Sequence, residues 1–139
     1  MSSKEIKKLF IYGSIALVLG VIIYLFAFYL SVIDTKDVKI DGYVYDEITK
    51  QPINGATVII INERYESDNG VSNYDEYLGH DVIKLITDKS GHYSTVIGKS
   101  AFLWIDLEKE GYQNSSIDGQ YSSKTMEYKT FMKKKESSN

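Results

Sequence analysis

Val38-Lys39-Ile40-Asp41-Gly42-Tyr43-Val44-Tyr45 alternates without a break. Val38, Ile40, Gly42 and Val44 share one side, and Lys39, Asp41, Tyr43 and Tyr45 share the other. A period of two is the mark of a strand with one buried face. Turn chemistry follows at once. Thr49-Lys50-Gln51-Pro52 and Asn54-Gly55 combine a residue that cannot donate to a ladder with a pair that readily takes positive φ.

Working outward, Ala56 to Ile61 forms a second, more continuously apolar strand. Asp81 to Thr87 and His92 to Ile97 flank the tight turn Asp88-Lys89-Ser90-Gly91. Ala101 to Leu107, with Phe102-Leu103-Trp104-Ile105 in succession, reads as the most buried strand, and Trp104 as core. Thr125 to Met132 alternates again, with Met126, Tyr128, Thr130 and Met132 on one face. No stretch past residue 34 carries a helical period. Six or seven short strands across residues 34–132 predict an all-β sandwich, and 133–139 a charged, frayed tail.

Towards the N-terminus the character changes. Leu9 to Ile33 is 25 residues without a charge. At 1.5 Å per residue it extends roughly 37 Å, more than the ~30 Å hydrocarbon core of a bilayer. Tyr12, Tyr24 and Tyr29 lie near its ends, where aromatic rings favour the interface. A cleaved signal peptide has a shorter apolar region and small residues at its exit, whereas here the exit reads Tyr29-Leu30-Ser31-Val32-Ile33-Asp34. Residues 9–33 therefore read as a transmembrane helix behind a short cytoplasmic N-terminus, 1–8. Lys4, Lys7 and Lys8 before it nearly balance Lys36, Lys39 and Lys50 after it, so charge alone barely orients it. Gly13, Ala16, Gly20 and Ala27 share one helix face, a candidate helix-packing stripe.

The chain of 139 residues has room for one domain and an anchor. Past Ile33 it holds 13 basic and 18 acidic residues, net −5. Such a domain does not present the basic face that a nucleic-acid backbone requires. With no cysteine, disulfides, thiolate zinc sites, thiol catalysis and an acylated-cysteine anchor are excluded.

The run Ile40-Asp41-Gly42-Tyr43-Val44-Tyr45-Asp46, then Thr49 and Pro52-Ile53-Asn54-Gly55-Ala56-Thr57-Val58, resembles the carboxypeptidase regulatory-like domain. Thr87-Asp88-Lys89-Ser90-Gly91-His92-Tyr93 and Gly111-Tyr112 extend the resemblance, over about residues 38–132. It implies a Greek-key, transthyretin-like sandwich of about seven strands in an extracytoplasmic setting. It also implies a docking, folding or spacer role without catalytic groups. Two departures stand out. Lys50 occupies a position usually glycine, and residues 63–80 form an insertion between strands that the family joins more tightly.

That insertion is the candidate partner-binding loop: Tyr65, Asn69, Tyr74, Asp75, Tyr77 and His80. Tyrosines among Ser, Gly, Asn and Asp make a contact surface of low entropic cost, and long loops on rigid scaffolds tend to carry function. Its acidic residues, Glu63, Glu66, Asp68, Asp75, Glu76 and Asp81, follow no calcium-loop spacing. His80 and His92 are the only histidines, and no nucleophile elbow or His-Glu-x-x-His is present. The sequence thus predicts no catalytic residues, no metal, no cofactor and no enzyme. It predicts a membrane-anchored interaction or accessory module of a cell-envelope complex, partnered by the bilayer and another envelope protein. The alternative is a small-molecule or glycan binding module using the 63–80 loop.

Overall fold

A computed structural model describes residues 2–136; Met1 and the end of the charged tail, 137–139, lie outside the described residues. The chain divides into two units, 1–33 and 34–139.

The first unit is a helix, α1 (Ser3–Ser31). It begins ahead of the apolar stretch because Ser2 and Glu5 form a capping box. Ser2 N–H donates to Glu5 Oε2 at 2.7 Å, and Glu5 N–H to Ser2 Oγ at 3.4 Å. Two orphan donors are thereby satisfied, and the helix extends back over Lys4, Lys7 and Lys8. Its apolar residues face every direction rather than one stripe, and Ser3–Leu30 is long and apolar enough to cross a membrane.

The second unit is a β-sandwich of seven strands: β1 (Thr35–Asp46), β2 (Thr57–Arg64), β3 (Gly79–Ile86), β4 (His92–Ser100), β5 (Phe102–Glu108), β6 (Ser115–Tyr121) and β7 (Thr125–Met132). Three strands, ordered β4-β1-β7, face four, ordered β3-β2-β5-β6. After the β2–β3 hairpin the chain crosses to β4 and returns to place β5 beside β2, the return connection of a Greek key. β1 sits between β4, antiparallel, and β7, parallel.

Inward-facing alternate residues fill the core: Val38, Ile40 and Val44 from β1, Val58 and Ile60 from β2, and Leu103, Ile105 and Leu107 from β5. Burying each such side chain stabilises the fold by about 1.5–3 kcal/mol relative to exposure. Gly42 breaks the row of side chains on β1 because the Tyr93 ring lies where its Cβ would stand. Gly55 (φ +71°) and Gly91 (φ +74°) occupy turns that need the left-handed region.

Seven strands match the expected number, one of them is not singled out by the sequence, and two expectations change. β6 carries no clear strand signal because, of its residues, Ile117 is the apolar one packed against the core. Phe102 and Trp104 point outward, while their neighbours Leu103 and Ile105 take the core. A strand apolar on both sides does not disclose its inner face. The tail's beginning is not frayed either. Gln113 N–H donates to Lys133 O at 2.8 Å and Lys135 N–H to Gly111 O at 2.9 Å.

Candidate functional site

The loop between β2 and β3 is built on a braced foundation. Arg64, with its side chain 11% exposed, donates from Nε to Asp81 Oδ2 at 2.8 Å and from Nη2 to Asp68 Oδ1 at 2.6 Å. Its Nη1 donates to the Glu66 carbonyl at 2.9 Å. Donating to the Asp81 and Asp68 carboxylates raises the guanidinium pKa further, so it stays charged throughout. Lys99 Nζ meets Glu66 Oε1 at 2.5 Å and holds that carboxyl below its ordinary range. Asp34, the first residue of the sandwich unit, accepts Tyr65 N–H at 2.8 Å and Glu66 N–H at 3.2 Å. Asn62, fully buried, donates to Asp81 Oδ2 at 3.0 Å and the Lys99 carbonyl at 2.9 Å.

Above this base the chain forms a small hairpin. A bridge joins Glu66 to Ser72, Ser67 N–H donates to Val71 O at 2.8 Å, and Gly70 (φ +78°) turns the tip. Aromatic contacts bind the return limb to the sandwich. Tyr65 and Tyr77 lie 5.1 Å apart, and Tyr77 stacks on Phe102 at 6.3 Å. Burial pushes the Tyr77 hydroxyl up to about 12.

The six candidate residues therefore do not converge. Tyr65 and Tyr77 pack back against the sandwich. Asn69, Tyr74 and Asp75 are exposed along the hairpin and its return. His80 lies on β3, where it pairs with Glu63. Among the described residues, no group of three or more His, Asp or Glu is placed to hold a metal ion. On α1, Gly13, Ala16, Gly20 and Ala27 are all exposed, with nothing within 4 Å of where a Cβ on Gly13 or Gly20 would lie.

Residues not singled out by sequence brace this site: Asp34, Arg64 and Lys99. A second unforeseen network lies at Asp46, 4% exposed. Its carboxylate accepts Thr49 N–H at 2.8 Å, Ile48 N–H at 2.9 Å and Tyr112 O–H at 2.9 Å, with Lys134 Nζ at 3.6 Å. These bonds, Thr49's foremost, hold the carboxyl far below its usual range. The pair joins Asp46, at the end of β1, to the Gly111-Tyr112 turn. An Asp three residues before a Thr was the one available signal.

No family model and no curated protein matches the chain. Solved structures do. A 3-chlorocatechol 1,2-dioxygenase from Rhodococcus opacus 1CP shares its fold at TM-score 0.51 and 15% identity, over 73% of this chain and 61% of that one. A hydroxyquinol 1,2-dioxygenase from Pseudomonas putida DLL-E4 gives TM-score 0.48 and 14% identity over 75% and 59%. The pilus 2b backbone protein of group B streptococcus gives 0.46 and 14% over 70% and 41%. The chain thus spans about three-fifths of the length of the two dioxygenases. At such identities the likeness shows the fold, a β-sandwich, and nothing finer. One expectation is corrected by it. The sequence predicts a chain that is not an enzyme, yet the solved dioxygenase at TM-score 0.51 contains this sandwich, so the fold does not set the chain apart from an enzyme.

Proposed function

We propose that the chain is a single-pass membrane protein whose sandwich serves as a protein-interaction module for another envelope protein, with the 66–76 hairpin as its contacting part. The observation that carries this reading is the contrast within the insertion. Its base is locked by Asp34, Arg64 and Lys99, while Val71 and Tyr74 are left 61% and 58% exposed. A rigid stem lowers the ordering cost of binding, and exposed apolar residues on it supply contact area. The uninterrupted apolar length of α1 supports an anchor retained in the bilayer. Turn glycines at 55 and 91, and Lys50 with φ +58° where the family usually has glycine, support a carboxypeptidase regulatory-like domain, and with it an extracytoplasmic sandwich and cytoplasmic N-terminus.

The test is crosslinking and detergent pull-down of the full chain beside Val71→Ser/Tyr74→Ser. The double variant should lose at least about 1 kcal/mol of binding, several-fold in recovered partner. Unchanged recovery would sink the loop reading. Resistance of the chain to alkaline extraction tests the anchor separately.

A further inference from the structure

The outer face of the four-stranded sheet carries an apolar patch amid its charges where a solvated face should be polar. An antiparallel sheet with one wet side alternates apolar-in and polar-out. β2 and β5 do not. With Val58, Ile60, Leu103 and Ile105 turned inward, Ile59, Ile61 and Trp104 face outward. β3 adds Val82 and Ile86, 63% and 72% exposed. The register sets these in rows across the sheet: Val82, Ile61 and Trp104 form one, and Lys84, Ile59 and Asp106 the next. Tyr77 stacks on Phe102 in the row nearest the loop.

The Lys84–Ile59–Asp106 row has a further property. Its charges are opposite and sit on the two sides of β2, the strand that carries Ile59. A two-fold axis lying along β2 turns the face onto itself. It sets Lys84 against the partner's Asp106, and Asp106 against the partner's Lys84. The same rotation sets Val82 against the partner's Trp104, with Ile59 and Ile61 each meeting their own copies. Isologous interfaces require this kind of self-complementarity, and two sheets pack face to face in near alignment. Among the described residues Lys84 makes no ion pair within its own chain. We infer that this face is a homodimer interface, occupied by a second copy of the chain related by a two-fold axis along β2.

The absence of cysteine makes the test clean. In the full chain held in detergent micelles, Ile59→Cys should be joined to its own copy by a short bifunctional maleimide, which spans the ~10 Å between facing sheets that a direct disulfide cannot. Val96→Cys, exposed on the other sheet, should not. Lys84→Asp opposes two carboxylates across the interface twice over, and should raise the dissociation constant about tenfold or more. The double variant K84D/D106K restores opposite charges and should recover dimerisation, a rescue that general damage to the fold would not allow. A chain that sediments as a monomer overturns the proposal. So do equal crosslinking of I59C and V96C, or a charge swap that fails to rescue.

Discussion

At the scale of single residues, two positions have measurable consequences. Lys50 holds φ +58°, a conformation that costs an L-residue about 1–2 kcal/mol and glycine little. Its Nζ lies 4.5 Å from the centre of the Phe131 ring, a contact of about 0.5 kcal/mol at an exposed site. Lys50→Gly gives up that contact and adds unfolded-state entropy, so the net gain is about 0.5 kcal/mol. The expected rise in Tm is about 3 °C by thermal melt. Asp46 gives a pH dependence. Its carboxyl is held low by Thr49, Tyr112 and Ile48, so it stabilises the fold above the unfolded value of about 4. That contribution is lost as the pH falls below 4. Asp46→Asn should therefore show a flatter loss of stability between pH 5 and 3 in denaturant titrations, and be weaker than the parent at pH 7.

At the scale of elements, Asp34 joins the start of β1 to the first residues of the loop after β2. Asp34→Ala leaves the Tyr65 and Glu66 N–H groups without their acceptor, a loss of about 1–2 kcal/mol in local stability. Hydrogen exchange at those two amides should quicken about tenfold or more, while that of β5 stays unchanged. Strand positions were legible in the sequence wherever one face is polar, as in β1 and β7. Orientation was not legible in β5, because Phe102 and Trp104 match Leu103 and Ile105 in hydropathy and only the third dimension separates them. The loop was legible by its length and composition. Its bracing was not, since Asp34, Arg64, Asp81 and Lys99 are distant in sequence and ordinary in type. Pairing of that kind is spatial and leaves no period to read.

At the scale of the whole molecule, the sandwich carries its own closed core, assembled from residues between Val38 and Met132. Residues 34–139 expressed alone should fold cooperatively, with a thermal midpoint within a few degrees of the full chain in detergent. A non-cooperative melt would show that the helix is needed for folding. The parallel pairing of β1 with β7, from Lys39 beside Thr125 to Asp46 beside Met132, adds a matter of timing. The first strand made is completed by the last, some 80 residues later, an interval of about 4–16 seconds at ordinary synthesis rates. For the first part of that interval β1 has no partner, and once β4 is made it has one on a single side only. A ribosome stalled before residue 125 would therefore hold a chain that cannot close its sandwich, with the edge of β1 that β7 covers left open to pairing.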